Sequence, residues 1–267
     1  MNVLFSANDI VYSGLELAVY TLLSHNKRVN IYVLTMDVNI ENAETGVGII
    51  YKSLEDWQKN KLRKIVKYLD RYSNITFINA REAYFKYGLD DSVNRLTGFT
   101  PFAALRLVAD VLLPRVDKVL YFDCDVAITG DISEFYGNFC NKDIHYGAYI
   151  TPEACDGLGE MVSGVMFMNL EKMRKTKFLE KARNNYCKNL YHYPDQMALR
   201  DVESPEKFPQ TIGYCDDLDE FDGIPLVIHF TNRVSPKIYT AKNREFFFKK
   251  FPFLNYAKEG ITLLDTI

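Results

Sequence analysis

The stretch Lys118-Val-Leu-Tyr-Phe-Asp123-Cys-Asp125-Val-Ala-Ile-Thr129 decides the fold class of this chain. Its opening residues form a short, nearly continuous apolar run with β-branched and aromatic side chains, which is typical of a buried strand. Two aspartates separated by one residue follow this run directly. Because ligands in open α/β sheets bind beyond the carboxyl ends of the strands, Asp123 and Asp125 stand where a ligand is expected.

These two carboxylates predict a metal site. Like charges a few ångströms apart repel and raise a pKa, so a pair of carboxylates at a strand end is unfavourable by itself. A divalent cation removes this repulsion, and Mg²⁺ and Mn²⁺ prefer carboxylate oxygens and often bind together with substrate phosphates. The stretch therefore predicts a metal–phosphate site at the end of a central strand.

Two other interpretations of the Asp-x-Asp pair remain open at this point. The pair can be a solvated turn that closes the strand. The same pattern also opens the haloacid-dehalogenase-type phosphatases, in which the first Asp is a nucleophile. That nucleophile normally lies on the first strand of its domain, whereas Asp123 follows several predicted elements.

Length and composition indicate a globular α/β protein. A chain of 267 residues, 48% hydrophobic and 25% charged, can form one large domain or two small ones, and these fractions exclude wholesale disorder. The net charge of −3 and the pI near 5.9 argue against a general nucleic-acid-binding protein.

Cysteine usage and the N-terminal segment predict a cytoplasmic location. The five cysteines are odd in number and lack CxxC spacing, which fits neither a disulfide framework nor a zinc site and is typical of a reducing compartment. The segment Met1–Ala7 lacks the basic region of a signal peptide. No stretch approaches the ~18 apolar residues of a membrane-spanning helix.

Strands and helices alternate in the first half of the chain. We predict strands at Val3–Phe5, Val29–Thr35, Asn74–Asn79 and Lys118–Phe122. We predict helices at Gly14–His25, from Ser53 to Leu69 with Asp56 as capping-box partner, and at Pro101–Leu113. This alternation predicts a Rossmann-like parallel sheet with right-handed crossovers.

The regular alternation ends after Asp131. We predict further strands at Ile144–Ile150, Gly164–Asn169 and Leu226–His229, and helices at Glu171–Lys188 and Asp195–Asp201. No linker rich in Pro or Ser divides the chain, which indicates one domain. The segments Met36–Ile50 and Arg81–Thr100 are long for connections and are interpreted as lids or substrate loops.

Five motifs follow one another in an order that resembles a known enzyme family. They are Phe5-Ser-Ala-Asn8-Asp9-Ile-Val-Tyr12, Leu105-Arg106 through the Asp-x-Asp element, Ser163-Gly164-Val-Met-Phe-Met-Asn169, Pro194-Asp195-Gln196, and His229-Phe-Thr-Asn232-Arg-Val-Ser-Pro236-Lys237. Over most of its length, residues 2 to 237, the chain resembles the family 8 retaining glycosyltransferases. That family contains bacterial lipopolysaccharide galactosyl- and glucosyltransferases and glycogenin.

The chain departs from the family pattern at three of these motifs. Tyr12 comes one residue late for the ring that stacks on the base, and Val162 stands where the family usually has Asn. The last family motif is His-x-x-Gly-x-x-Lys-Pro, whereas here Asn232 replaces the Gly and Lys237 comes two positions late.

The resemblance implies a fold and a set of site residues. The fold is α/β, a GT-A-like Rossmann-type mixed sheet flanked by helices, in a single domain over residues 1–240. A Mn²⁺ or Mg²⁺ ion is held by Asp123, Asp125 and His229, and the catalytic residues Asp195 and Gln196 lie beside the anomeric carbon. Contacts to the nucleotide sugar are expected from Ala7, Asn8, Asp9, Tyr12, Arg106, Asp123, Cys124, Asp125, Ser163, Asn232 and Lys237.

The implied reaction transfers a hexose, galactose or glucose, from a UDP-sugar to a glycan or glycolipid acceptor with retention of configuration. The C-terminal segment 241–267 interleaves aromatic and cationic residues from Arg244 to Tyr256. Such a segment can lie at a membrane surface, which suits a glycolipid acceptor and a location peripheral to the inner face of the membrane. It can equally form a terminal helix that packs on the domain.

Other interpretations remain open for the site and for the whole protein. Arg106 can be solvated on an outer helix face, His229 can pack against apolar neighbours at a strand end, and Lys237 can be a surface residue. The pairs Asn8–Asp9 and Asp195–Gln196 can each cap a helix. An Asp-x-Asp-dependent phosphatase or nucleotidyltransferase and a non-catalytic nucleotide-sugar or glycan-binding module are the alternative functions.

Overall fold

The computed structural model describes residues 1–41, 48–96, 99–151, 160–215, 222–230, 249 and 251–265. The strands in these ranges are β1 (Asn2–Ser6), β2 (Asn30–Thr35), β3 (Val38–Glu41), β4 (Gly48–Tyr51), β5 (Asn74–Asn79), β6 (Lys118–Phe122), β7 (Val126–Ile128), β8 (Tyr146–Ile150), β9 (Met161–Asn169), β10 (Glu206–Lys207), β11 (Tyr214–Cys215) and β12 (Val227–His229).

The α-helices of the same ranges are α1 (Tyr12–His25), α2 (Asp56–Leu69), α3 (Arg81–Lys86), α4 (Ala109–Leu112), α5 (Ser133–Cys140), α6 (Leu170–Thr176), α7 (Phe178–Lys188), α8 (Pro194–Arg200), α9 (Gln210–Gly213) and α10 (Asn255–Asp265). Short 3₁₀ helices cover Leu89–Asp91, Val93–Leu96, Ala103–Val108 and Pro252–Leu254.

Seven strands of the described residues form one sheet in the order β10-β8-β9-β6-β1-β2-β5. Strands β6, β1, β2 and β5 are parallel neighbours, so the parallel sheet predicted for the first half of the chain is confirmed. Strand β9 is antiparallel to both β6 and β8, which makes the whole sheet mixed. The predicted α/β class with a mixed sheet flanked by helices is confirmed.

Both faces of this sheet are buried, and successive side chains of β1 enter different apolar cores. Val3 and Phe5 lie in one core with residues of α1 and α2, whereas Leu4 lies in the other with residues of α7 and α8. Neighbouring side chains of a strand point to opposite faces, so a strand covered on both sides needs a continuous apolar run. This explains the apolar runs of β1 and β6.

A second sheet, in the order β11-β12-β7, continues from the end of β6. Strand β12 is antiparallel to β7, with His229 opposite Val126. The N–H of Phe230 donates to the carbonyl of Asp125 at 2.8 Å. The end of β12 is therefore held beside the residues that directly follow β6.

The predicted helix at Pro101–Leu113 is a 3₁₀ helix over much of its length, so its prediction as a single α-helix is wrong. Residues Ala103–Val108 form a 3₁₀ helix, and Ala109–Leu112 are α-helical. A 3₁₀ helix has three residues per turn, so Ala103 and Arg106 lie one above the other. Arg106 Nε donates to the Ala103 carbonyl at 3.0 Å, a contact that accompanies the tighter winding.

Two further helix predictions are corrected by local backbone contacts. The single helix predicted at Glu171–Lys188 is divided into α6 and α7, because Lys177 has φ 56° and a left-handed residue cannot continue a right-handed helix. The predicted capping box of Ser53 and Asp56 is also wrong, since Glu55 and Gln58 form it.

The two long connections contain regular structure. Segment Met36–Ile50 includes the hairpin of β3 and β4, and residues 42–47 of it lie outside the described part. Segment Arg81–Thr100 includes α3 and two 3₁₀ helices, and residues 97–98 are likewise outside. Their role as substrate loops stays a prediction.

The described part of the C-terminal segment packs on the domain. Helix α10 buries Ala257, Ile261 and Leu264 in the core that contains α1 and α2. Lys61 of α2 forms an ion pair with Asp265 at the end of α10. The boundary predicted after residue 240 stays a prediction. In the ranges given above, every helix is too short or too polar to span a bilayer.

Candidate functional site

The two aspartates of the Asp-x-Asp pair lie where the chain passes from β6 to β7. The N–H of Asp123 donates to the carbonyl of Gly164 on β9 at 2.8 Å. The carbonyl of Asp125 accepts from Phe230, which follows β12. Backbone hydrogen bonds to β9 and to the residue after β12 thus hold both aspartates, and Asp125 is only 7% exposed, so the pair is not a freely solvated turn.

Asp123, Asp125 and His229 form a cluster that could hold a metal ion. Their candidate ligand atoms all lie within 4.8 Å of one another. His229 Nε2 is 3.3 Å from Asp125 Oδ1 and 3.9 Å from Asp123 Oδ2. Two carboxylates and one imidazole supply the oxygen and nitrogen ligands that divalent cations bind in proteins. The three residues predicted as metal ligands are therefore brought together.

Gly164 makes room for the imidazole of this cluster. A β-carbon at this position would overlap the ring atoms of His229. The ring therefore lies directly against the backbone of β9, and only glycine permits this approach without displacing it. This close packing keeps His229 beside the carboxylates, which supports the fit of the cluster to a cation.

Arg106 is buried between the carboxylates of Asp123 and Asp195. It is only 2% exposed, so the interpretation as a solvated arginine is wrong. One terminal nitrogen lies 2.8 Å from Asp123 Oδ1, and the other donates to the Ser163 carbonyl at 2.5 Å. Its guanidinium carbon lies 4.1 Å from the centre of the Tyr121 ring.

Burial and neighbouring charges have opposite effects on the pKa values of Arg106 and Asp195. Burial lowers the pKa of Arg106, but the carboxylates of Asp123 and Asp195 outweigh it and raise that pKa further above its ordinary value. Burial raises the pKa of Asp195, Arg106 counteracts the increase, and Asp123 adds to it. Arg106 therefore stays charged, and one cation is shared between two carboxylates.

Asp195 and Gln196 begin α8, directly after Pro194 at its first turn. Asp195 Oδ2 is 3.2 Å from Arg106 Nε, but this ion pair lacks hydrogen-bond geometry because that N–H points to Ala103. Gln196 Oε1 accepts from the N–H of Ser163 at 3.1 Å. Gln196 therefore reaches β9 at Ser163, one residue before Gly164, while Asp195 lies beside Arg106, which also pairs with Asp123.

The residues after β1 lie at the same edge of the sheet. Ala7 is fully buried, and its N–H donates to the Leu34 carbonyl at 2.9 Å. Asn8 Oδ1 accepts from the Val11 N–H at 3.1 Å, so this side chain stabilises the entry into α1. Asn8 is only 3% exposed, so its contact with a nucleotide stays a prediction.

Asp9 and Tyr12 differ in how they are held. The Asp9 N–H donates to the Lys52 carbonyl at 3.2 Å, and its own carbonyl accepts from Gln58 Nε2 at 3.3 Å. Tyr12 is 6% exposed, and its hydroxyl donates to Glu16 at 2.9 Å. The Tyr12 ring is therefore covered, and stacking on a base would require it to move.

Cys124 lies buried between the two aspartates. Its thiol donates to the Ser6 carbonyl at 3.3 Å. Burial raises the pKa of Cys124 well above its ordinary value, and the charges of Asp123 and Asp125 raise it further. The side chain is therefore a neutral thiol that packs the base of the site.

Unpartnered polar atoms of the described residues concentrate at this edge. Among the described, buried side-chain oxygens and nitrogens, those without a hydrogen-bond partner are Ser6 Oγ, Asp9 Oδ1 and Asp195 Oδ2. Buried polar groups almost always have partners, and exceptions need an explanation. A ligand with polar groups at the carboxyl edge of β1 and β6 would supply the missing partners.

Two residues of this site were not predicted from the sequence. Tyr121 donates its hydroxyl to Asp123 Oδ1 at 2.7 Å and lies against Arg106. It stands two residues before Asp123 on the same face of the strand, and this spacing was the available signal. The second residue is Ser6, the last residue of β1, which lies at the same edge of the sheet. The predicted contacts Asn232 and Lys237 lie outside the described residues.

A family model described as glycosyl transferase family 8 matches residues 2–150. The chain belongs to this family. It is a glycosyltransferase, so the phosphatase, the nucleotidyltransferase and the non-catalytic binding module are set aside as functions of the whole protein. No protein of curated function matches the chain by sequence.

Solved structures share the fold of this family 8 glycosyltransferase. The galactosyltransferase LgtC in complex with donor and acceptor sugar analogs has a TM-score of 0.68 and 15% identity, over 97% of this chain and 96% of LgtC. Mouse xyloside xylosyltransferase 1 has a TM-score of 0.61 and 13% identity, over 87% and 98% of the two chains. GlyE of Streptococcus pneumoniae has a TM-score of 0.60 and 17% identity, over 96% and 63%. At these identities the likeness shows the GT-A-like fold.

Proposed function

We propose that this glycosyltransferase moves a hexose, galactose or glucose, from a UDP-sugar to a glycan or glycolipid acceptor with retention of configuration. The observation that carries the proposal is the cluster of Asp123, Asp125 and His229 at the carboxyl end of β6. It lies beside a buried Arg106 that pairs with two carboxylates. The likeness in fold to LgtC, solved with donor and acceptor sugar analogs, supports the substrate classes.

The chemistry of the reaction explains why such a cluster is useful. Transfer breaks the bond between the anomeric carbon and a diphosphate oxygen, so negative charge grows on the leaving diphosphate. Asp123, Asp125 and His229 would hold a Mn²⁺ or Mg²⁺ ion, which when bound supplies Lewis-acid stabilisation of that charge. Cys124 stays a thiol and adds no charge of its own.

Arg106 acts as a positioning residue in this proposal. Its N–H groups already donate to the Ala103 carbonyl, the Ser163 carbonyl and Asp123. A guanidinium with these fixed donors holds the Asp123 carboxylate in one orientation and keeps Asp195 beside it. We therefore assign Arg106 to orienting the carboxylates.

Asp195 and Gln196 are proposed to lie at the reacting sugar. Asp195 Oδ2 has no hydrogen-bond partner within the protein, so it can accept from a sugar hydroxyl. LgtC has an active-site Gln whose change to Glu was studied by crystallography, which supports a role for Gln196. Retention by same-face displacement and retention through a glycosyl-enzyme intermediate are both compatible with this assignment.

Base recognition and location complete the proposal. Asp9 Oδ1 and Ser6 Oγ, both unpartnered, are proposed to contact the nucleoside together with Ala7 and Asn8. UDP is then expected to bind better than GDP or ADP.

We propose a cytoplasmic enzyme whose C-terminal segment contacts the inner face of the membrane when the acceptor is a glycolipid.

Thermal unfolding with and without metal tests the proposal. UDP should raise the melting temperature far more with Mn²⁺ than with EDTA, because a ligand that binds only the native state stabilises it. Asp125→Ala should abolish the Mn²⁺-dependent increase and leave the fold intact. Asp117→Ala, which removes an exposed carboxylate paired with Arg174, is the matched control and should keep the increase.

Hydrolysis of UDP-galactose and UDP-glucose by the wild type, with and without Mn²⁺, then tests the reaction itself. Metal-dependent release of UDP from either donor is the expected result. Equal stabilisation by UDP in Mn²⁺ and in EDTA would contradict the metal assignment.

A further inference from the structure

On the nucleotide side of the site, the aromatic ring of Tyr12 is not accessible to a ligand. The Tyr12 ring is 6% exposed, and its hydroxyl is bound to Glu16. The Tyr12 ring packs against Trp57 in a T-shaped arrangement, with ring centres 5.2 Å apart and planes at 66°. A base that approaches Tyr12 would therefore contact the ring of Trp57 first.

Trp57 combines exposure with a fixed orientation. It lies in the first turn of α2 and is 56% exposed, although tryptophan is largely buried on average in folded proteins. Its indole N–H donates to the Glu55 carboxylate, and its ring contacts Tyr12. The ring is thus held on two sides and still presents a face to solvent.

The same turn of α2 is tied to the polar segment after β1. Gln58, the next residue, donates to the Asp9 carbonyl at 3.3 Å. Asp9 also carries a buried carboxylate oxygen, Oδ1, without a hydrogen-bond partner. The exposed ring of Trp57 and the unpartnered oxygen of Asp9 therefore belong to two segments that the Gln58 hydrogen bond joins at the carboxyl edge of β1.

We propose that Trp57 is the stacking residue for the nucleobase of the donor and that Asp9 accepts a hydrogen bond from the edge of that base. The inference rests on the proposed use of a UDP-sugar. Every base has a π-face, so stacking on Trp57 contributes affinity for any nucleotide. The ring N–H of uracil can donate to Asp9 Oδ1, so this contact determines which base is preferred.

The chain contains one tryptophan, so its fluorescence reports on Trp57 alone. Addition of UDP with Mn²⁺ to the full chain should change the tryptophan emission in a saturable way. The dissociation constant from this change should equal the one measured by calorimetry on the same sample. Calorimetric binding of UDP with unchanged emission overturns the assignment of Trp57 and leaves the proposed function standing.

Variants separate stacking on the base from binding of the phosphates. Trp57→Ala should weaken UDP binding roughly 5- to 150-fold, the range to which base–aromatic stacking energies correspond. Trp57→Phe keeps an aromatic face and should retain most of the affinity. Inorganic pyrophosphate with Mn²⁺ carries no base and should bind wild type and Trp57→Ala equally.

Tyr68→Ala is the matched control, because Tyr68 is 57% exposed on the same helix. It should bind UDP as the wild type does. Wild-type affinity of Trp57→Ala for UDP overturns the inference, as does an equal loss of UDP and pyrophosphate binding. If calorimetry detects no UDP binding to the wild type, the proposed function fails, and this inference fails with it.

Discussion

Single residues at the edge of β6 determine the geometry of the candidate metal site. Gly164 lets the His229 ring approach the backbone of β9, and its carbonyl accepts from Asp123. Arg106 and Tyr121 both bind Oδ1 of Asp123, so its Oδ2 is the oxygen that faces His229. Asp123 thus binds protein groups through Oδ1, and its Oδ2 is the oxygen placed to bind a cation.

Gly164→Ala should remove metal-dependent nucleotide binding. The added methyl group overlaps the His229 ring, so the ring must turn away from the carboxylates. We expect a loss of stability of about 1–3 kcal/mol from overpacking, and a loss of the Mn²⁺-dependent rise in melting temperature with UDP. Thermal unfolding in Mn²⁺ and in EDTA measures both.

Gly147→Ala is the control for this substitution. A β-carbon at Gly147 on β8 would crowd the rings of Phe139 and Phe208, away from the cluster. It should lower stability by a similar amount and keep the Mn²⁺-dependent rise. A Gly164→Ala protein that also keeps the rise would contradict the requirement for glycine at this position of the metal site.

Gln196→Ala should lower kcat for transfer by on the order of 10²-fold, the size typical for loss of one transition-state contact. UDP affinity should change little, because the contact is assigned to the reacting sugar. Gln196→Glu keeps an acceptor for the Ser163 N–H and separates loss of this structural bond from loss of chemistry. Steady-state kinetics and calorimetry with UDP measure the two quantities.

The stereochemistry of the product is checked in the wild type by NMR, and the α-configuration of the donor should be kept. A β-linked product from an α-donor contradicts retention. A loss of UDP affinity in Gln196→Ala as large as in Asp125→Ala contradicts the placement of Gln196 beside the sugar.

At the scale of the elements, a buried carboxylate joins the end of α2 to the start of β2. Asp70 accepts from the Arg28 N–H at 2.7 Å, from the Ser73 hydroxyl at 2.6 Å and from the Tyr72 N–H at 3.1 Å. Arg28 itself has φ 56°, in the left-handed region. These bonds satisfy backbone donors in a turn where no strand or helix provides acceptors.

The stability contributed by Asp70 should depend on pH. Burial acts to raise the pKa of Asp70, but the hydrogen bonds from Ser73, Arg28 and Tyr72 outweigh it and hold the pKa below its ordinary value. A lowered folded-state pKa means that the contribution is present above the ordinary value of about 3.9 and is lost as pH falls through the folded pKa.

Asp70→Asn should therefore lower the free energy of unfolding by about 1–2 kcal/mol at pH 7. The difference from wild type should shrink as the pH falls below about 4. Urea unfolding at several pH values measures this. Asp56→Asn, which removes a 96% exposed carboxylate near Lys59, should have little effect at any pH. A pH-independent difference for Asp70→Asn would refute the assigned linkage.

At the scale of the whole molecule, helix α10 shares an apolar core with the main sheet. Its apolar face enters the core that also contains β1 and β6. Lys61 joins Glu16 of α1, at 2.6 Å, to Asp265 at the end of α10. Burial opposes protonation of Lys61, but the hydrogen bonds to Asp265 and Glu16 raise its pKa. Charge and apolar packing therefore both join the C-terminal helix to α1.

Gly260→Ala should destabilise this docking even though alanine favours helices. A β-carbon at Gly260 would overlap the hydroxyl of Tyr20 on α1, so the two helices must separate or Tyr20 must leave its place. We expect a loss of about 1–3 kcal/mol and faster hydrogen exchange in α10. Thr262→Ala, at an exposed position of the same helix, should be neutral or slightly stabilising. A Gly260→Ala protein as stable as Thr262→Ala would contradict the close packing.

Much of the fold and part of the site could be predicted because the signals are local. The apolar runs of β1 and β6 follow from burial on both faces of a sheet, and the alternation with helices indicates parallel pairing. The Asp-x-Asp pair directly follows such a run, so its place at the ligand edge could be predicted from residues close in sequence.

The sequence by itself determined the four parallel strands, the one among them that the two aspartates follow, and the family pattern that points to His229, Asp195 and Gln196. Only the tertiary structure decided that Arg106 is buried between two carboxylates, that Gly164 admits the His229 ring, and that Tyr12 is covered while Trp57 is exposed. The reason is physical. Strand and helix periods are properties of neighbouring residues, whereas these contacts join positions far apart in the chain that meet only when both faces of the sheet are packed.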